Sequence, residues 1–268
     1  MKTRYILKII LLFLATVFLY CDTVRPFIIS DEQEITIGNN LKKQISADTE
    51  NYPPFKGDYR VIRFVDSIGS LLTENQNERP TLRFTFTILK DDSSVNAFAI
   101  PGGHVFVYTG LLREAENAAE LAGVIAHEIG HITRYHGADR LVAGEVSGLV
   151  NQILFGDESS IVKAAASLLE NLAFLKFSRK NEFEADSCAV VYTSRTGINP
   201  LGVRDFFVKL KSRYGDSQKI FEPISSHPLL SERIEQIDKV IQKNGWLVSD
   251  TTSFFREEYL QIKNLLNQ

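Results

Sequence analysis

Cysteine is nearly absent from the chain, with two in 268 residues, Cys21 and Cys188. That excludes a disulfide framework, and with it a cysteine-rich structural zinc site. Cys188, in ADSCAVVY, is expected to be a small buried hydrophobe. Histidine is also scarce, at five, so a cluster of histidines carries information. Neither sign of charge predominates: 30 Lys and Arg stand against 33 Asp and Glu, for a net charge of −3. No basic stripe offers itself to nucleic acid. Internal repeats and low-complexity runs are missing, and the length suits one large domain.

Long apolar runs are also missing from the N-terminal edge of the domain, but not from the N-terminus itself. MKTRYILK is a basic start, and IILLFLATVFLYC follows it, apolar as far as Cys21. This run fits the core of a signal peptide better than a full membrane span of about 20 residues, and counting back to Tyr5 makes a short signal anchor. Cys21 stands where a bacterial lipoprotein signal places its lipidated cysteine. Phe18, Leu19 and Tyr20, however, are not the small residues a lipobox prefers. Lipoprotein and uncleaved anchor both stay open, and both imply an exported protein held at a membrane by its N-terminus. The expected division is 1–21 as signal peptide or anchor, 22–29 as linker, and 30–268 as the domain.

Within that domain, SDEQEITIGNNLKKQI (Ser30 to Ile45) reads as a capped amphipathic helix and DYRVIRFVDSIGSLL as a second. TLRFTFTIL (Thr81 to Leu89) alternates with period two and reads as a strand. SVNAFAIPGGHVFVYTG gives a short strand, a turn at Pro101 to Gly103, and a strand at His104 to Tyr108. Everything after Leu111 reads as helices. The fold class expected is α+β and helix-rich, with a small, mostly antiparallel sheet ahead of the helices. Leu141 to Leu175 is unusually apolar and reads as core, with a lid or membrane-facing hairpin as the other reading.

AGVIAHEIGHITRYHG (Ala122 to Gly137) sets three histidines and a glutamate among apolar residues. Asn117 and Glu120 form a capping-box-like start, and Gly137 is the expected stop. On one continuous helix, His127 and His131 differ by roughly 40° and share a face, whereas His136 lies about 180° from His127. His136 is therefore a poor third ligand and reads as a surface or helix-end histidine. His127 and His131 are the expected metal ligands, with Glu128 beside them as general base on an activated water. Further on, SRKNEFEADSCAVVYTSRTG is also helical, and Glu182 and Asp186 share one face of it. Glu182 completes a two-histidine, one-carboxylate zinc site with an open fourth position. Asp186, one turn on, is placed to accept the second ring N–H of a ligating histidine. Glu184 points elsewhere and reads as a solvated charge.

His-Glu-x-x-His followed by NEFEAD, with NAFAIPGGHVFVYTGLL before and SHPLLSERI after, resembles the HtpX/BepA/LoiP-type family of zinc metallopeptidases. The resemblance covers roughly Glu32 to Lys243 and is strongest to the compact, lipoprotein-like LoiP branch. The chain has neither the multiple membrane spans of the HtpX branch nor the tetratricopeptide tail of the BepA branch. The resemblance implies a gluzincin fold with one zinc ion on His127, His131 and Glu182, Glu128 as base, and Asp186 behind the ligands. It also implies a role near the metal for His227, either stabilising the oxyanion or, at rest, occupying the open zinc position. On this reading an extended substrate lies along the strand at Asn96, Ala97 and Phe98, and the substrates are unfolded, damaged or misassembled envelope proteins. Two alternatives are a tethered, non-proteolytic chaperone that keeps the fold, and a hydrolase of prenylated C-terminal peptides. The intact Glu128 and the single apolar segment, respectively, speak against them.

Overall fold

A computed structural model describes residues 29–74, 78–142, 147–170, 177–215, 230–246 and 255–266. Residues 1–21, most of the expected linker, Cys21 and His227 lie outside this set. Among the described residues, no helix is long and apolar enough to cross a membrane.

The chain opens with α1 (Asp31–Ala47), where Ser30 forms a reciprocal capping box with Gln33. This satisfies two backbone donors that the helix itself cannot. Helix α2 (Tyr59–Glu74) buries the stripe Val61, Val65, Ile68 and Leu72. Three strands follow: β1 (Thr85–Leu89), β2 (Ala97–Ile100) and β3 (His104–Tyr108). Their order is β1-β3-β2.

The turn between β2 and β3 uses Gly102 and Gly103 at φ of 82° and 94°, backbone geometry that an L side chain rarely adopts. This hairpin makes β2 and β3 antiparallel, while β1 lies parallel to β3 on its far side. The sheet is thus mixed, with one pair of each kind, where the sequence suggested mostly antiparallel pairing. The α+β, helix-rich class is as expected. Segment 53–55 covers the outer edge of β1, with Phe55 N donating to Ile88 O (3.0 Å) and Lys90 N to Pro53 O (2.7 Å). β2 forms the opposite edge.

The remaining elements are α3 (Thr109–Glu114), α4 (Ala118–Thr133), α5 (His136–Val142), α6 (Ser147–Phe155) and α7 (Glu158–Glu170). After them come α8 (Arg179–Arg195), α9 (Gly202–Tyr214), α10 (Leu230–Asn244) and α11 (Arg256–Leu265). The period-two pattern of the strands divides the interior in two. Ile88, Ala97, Ala99, Val105 and Val107 face a large core with α2, α4, α8, α9, α10 and α11. Leu89, Phe98, Ile100 and Phe106 face a smaller core formed with α1, α6 and α7. In the apolar 141–175 stretch, where described, Leu141, Val150, Ile153, Ala164, Ala165 and Leu168 pack beside Ile37, Leu41 and Ile45, while Phe155 and Val162 are exposed.

Helix α4 is the centre of the large core, and almost all of its side chains are buried. Fully burying one of its leucines or isoleucines stabilises by about 1.5–3 kcal/mol. The same surroundings make buried His127, Glu128 and His131 costly unless partners meet their polar atoms.

Candidate metal centre

The two histidines of α4 and the glutamate of α8 converge in the interior. His127 Nε2 and His131 Nε2 are 3.0 Å apart. Glu182 places Oε2 3.6 Å from the first and Oε1 3.6 Å from the second. All three side chains are buried. Among the described residues, they are the one group of histidine, cysteine or acidic side chains whose donor atoms all lie within 4.8 Å of one another.

Ligands held at 2.0–2.1 Å around a tetrahedral ion stand roughly 3.4 Å from each other, which these separations bracket. Two imidazole nitrogens facing each other at 3.0 Å are held together either by one proton shared between them or by a cation that both coordinate. The donor set is that of catalytic zinc, so these residues fit the ion.

Close packing of α4 on α8 makes this convergence possible. Gly130, inside the His-Glu-x-x-His motif, faces α8. A Cβ there would meet Ala185 O and Cys188 Cβ at 3.0 Å. A larger residue would push α8, and Glu182 with it, away from the histidines.

Behind the ligands, His127 Nδ1 lies 2.9 Å from Asp186 Oδ1. Asp186 is held in turn by Arg233 of α10, whose Nε and Nη2 donate to its two oxygens at 2.9 and 2.6 Å. Arg233 Nη1 reaches Glu182 Oε2 at 3.2 Å, and its guanidinium lies over the Phe207 ring at 4.1 Å. Burial would raise the Asp186 pKa, but the Arg233 charge and its hydrogen bonds outweigh that and hold the carboxyl down at about 2. Burial, reinforced by Arg233, lowers His127 to about 4. His127 is therefore neutral at pH 7, with a lone pair available for a metal.

Glu128 borders a cleft together with His127, Arg233, Asn96 and the β2 residue Ala97, walled by Phe206, Phe207 and Leu210. A buried carboxylate at the floor of an apolar cleft, beside a group of metal donors, is an arrangement suited to hydrolysis.

A model of peptidase family M48 matches residues 64–241, more than half of the chain. The chain belongs to peptidase family M48. It is 30% identical over 217 residues to the beta-barrel assembly-enhancing protease of Yersinia pestis, an alignment covering 77% of this chain and 43% of that protein. To the metalloprotease LoiP of Escherichia coli strain K12 it is 26% identical over 236 residues, covering 84% of this chain and 86% of LoiP. The mitochondrial metalloendopeptidase OMA1 of Schizosaccharomyces pombe is 29% identical over 161 residues, 59% of this chain and 47% of that one. The chain spans about half the length of the beta-barrel assembly-enhancing proteases it matches. The family expected from the four motifs is the one found.

Several placements in this M48 domain differ from the sequence expectation. Helix α4 does not run to Gly137. It ends at Thr133, and Tyr135 adopts φ of 62°, turning the chain before α5 starts at His136. Arg79 holds this turn, donating to Ile132 O at 3.1 Å and lying over the Tyr135 ring at 3.8 Å. The angular argument that put His136 on the far side of the helix assumed unbroken helical phase, and the turn voids it. His136 is not a surface histidine. It is buried, its Nδ1 lies 2.8 Å from Nδ1 of His131, and burial lowers its pKa. Glu184 is partly exposed, as expected, but it is not merely solvated, since it approaches His136 Nε2 at 3.5 Å.

The strand expected to receive substrate is present, with a change in which residues are available. Tyr108 N donates to Asn96 O, so in the β2–β3 register the backbone groups of Asn96, Phe98 and Ile100 turn toward β3. Those of Ala97 and Ala99 turn to the outer edge of the sheet, where both residues are buried. The Phe98 ring stacks on Phe106 at 4.9 Å in the smaller core, away from the cleft.

Arg233 was missed. Its signal was present in the sequence: it falls on the stripe Leu230, Arg233, Ile237, Ile241 that α10 buries, and an arginine on an apolar stripe calls for buried acidic partners.

Proposed function

We propose that this chain is a zinc metalloendopeptidase that cleaves unfolded, damaged or misassembled proteins of the cell envelope, tethered by its N-terminal apolar run, with Cys21 or the run itself as anchor. The observation that carries this reading is the meeting of His127, His131 and Glu182 beside a cleft that His127, Glu128 and the start of the edge strand β2 line. Bound there, zinc supplies a Lewis acid that polarises a water and the scissile carbonyl. Glu128 takes the water's proton and passes it to the leaving amine. Asp186 accepts a hydrogen bond from the Nδ1–H of His127 and fixes the ring so that Nε2 faces Glu182 and His131.

The substrate binds as an added strand on Ala97 and Ala99. Backbone hydrogen bonds there read an extended chain more than its sequence, and the apolar cleft takes one side chain. Such loose recognition suits unfolded substrates, and the relatives named beta-barrel assembly-enhancing protease support targets among proteins under assembly. His227, in the segment leading to α10, donates to the oxyanion.

Purified protein lacking residues 1–28 should cleave unfolded casein, and a chelator should abolish cleavage. Glu128→Gln should retain zinc and lose hydrolysis by several orders of magnitude, since it removes the base and no ligand. Cleavage that survives the chelator, or a glutamine variant as active as wild type, would rule the reading out.

A further inference from the structure

The two proposed histidine ligands have different supports, and that of His131 is made of residues the reading above does not use. His131 Nδ1 lies 2.8 Å from His136 Nδ1, and His136 Nε2 lies 3.5 Å from Glu184 Oε2. Both histidines are about 2% exposed, whereas the Glu184 side chain is 41% exposed. Phe177 stacks on the His131 ring at 3.9 Å and tilts against His136 at 5.9 Å. Arg134, which caps the end of α4, places Nε 3.6 Å from Glu184.

A 2.8 Å contact between two imidazole nitrogens holds one proton. With zinc on its Nε2, which faces His127 and Glu182, His131 carries its proton on Nδ1. His136 then accepts at Nδ1, which places its own proton on Nε2, facing Glu184. Every ring nitrogen in the series thereby has a partner, and only one assignment of protons achieves this.

We propose that His136 is a positioning residue for the zinc site. With Glu184 it forms an imidazole–carboxylate relay that fixes the tautomer and orientation of His131, the part Asp186 plays for His127. The inference rests on the zinc reading of the site. The chain reversal at Tyr135 brings His136 back to His131. The stack of Phe177 keeps water off the ring face, so His136 supplies the in-plane partner of His131 Nδ1.

The test is zinc affinity by competition with a chelating dye, for wild type, His136→Phe and His136→Asn. Phenylalanine keeps an aromatic ring in the pocket but accepts no hydrogen bond. Asparagine places Oδ1 at the same number of bonds from Cα as the lost Nδ1 and accepts one. His136→Phe should bind zinc about 10- to 100-fold more weakly, and His136→Asn should recover most of that loss. Thermal midpoints of the zinc-free proteins report whether each variant folds.

In zinc-loaded wild type, ring 15N spectra should show His136 as the Nε2–H tautomer, a reading that needs no variant. Equal affinity for His136→Phe and wild type would overturn the relay, as would equal weakening by Phe and Asn, or His136 as the Nδ1–H tautomer. A wild type that binds no zinc would instead overturn the proposed function.

Discussion

His127 and His131 lie one turn apart on one helix and offer the same atom to the same point, yet different chemistry holds them. Behind His127 stands Asp186, wholly buried and gripped at both oxygens by Arg233. Behind His131 stands a neutral imidazole, and the carboxylate comes only after it, partly in solvent. The first support joins three helices, α4, α8 and α10, through buried charges. The second joins α4 to the helix immediately after it and to the first turns of α8. A buried ionic support holds its geometry firmly, but removing any one member leaves the others uncompensated. A support that ends in water is weaker, and its loss is cheaper.

The largest expected effect falls on the His127 side. Arg233→Met should destabilise the zinc-free protein by about 3–5 kcal/mol, because it strands the buried carboxylates of Asp186 and Glu182. Urea unfolding measures this, and a loss below about 1 kcal/mol would show the two supports to be alike.

Asp186→Asn comes next. It should weaken zinc binding about 10- to 100-fold without abolishing it. Combined with His136→Phe, the two losses should couple only weakly, since the supports meet only through the ligands and the ion. Strong coupling in that double-mutant cycle would mean one network rather than two.

Acid should sharpen the contrast. His127 titrates near 4 in the fold against 6.5 when unfolded. Between those values the unfolded chain binds more protons, so stability rises with pH and is lost as pH falls from about 6.5 toward 4, by at most about 1.4 kcal/mol per pH unit. His104, buried against Thr85 and Asn39 and lowered by burial and Lys42 to about 4, adds a second contribution of the same sign and window. Asp186 shifts from 3.8 to about 2. Its contribution is present above 3.8 and lost as pH falls toward 2. Urea midpoints of chelator-treated protein at pH 7, 5.5 and 4.5 measure the histidine window, and a flat profile there would show that His127 is not held neutral by the fold.

The smallest effect should be that of Glu184→Gln, up to about 1 kcal/mol in zinc binding, because its carboxylate is solvated and screened. An effect as large as that of Asp186→Asn would erase the distinction.

Much of the site was legible because its parts are local. His127, Glu128 and His131 follow from helical spacing alone, as do Glu182 and Asp186, since an i, i+4 pair shares a face wherever the helix goes. The Pro101–Gly103 hairpin and the caps at Ser30 and Asn117 were equally local, each formed by residues within a few positions of one another. The sequence by itself thus determined which residues could make a metal site, and its four motifs in order determined the family. Tertiary structure alone decided the rest of the supports, His136 and Arg233. His136 reaches His131 only because Tyr135, a residue type that gives no warning of a left-handed turn, is held in one by Arg79 from a distant loop. Arg233 is buried only because two carboxylates from another helix meet it. The parallel partner of β1 was likewise a question of which strand edge stood free. Such choices depend on what arrives from far along the chain, and burial makes them decisive, because a polar group removed from water must find its partner there.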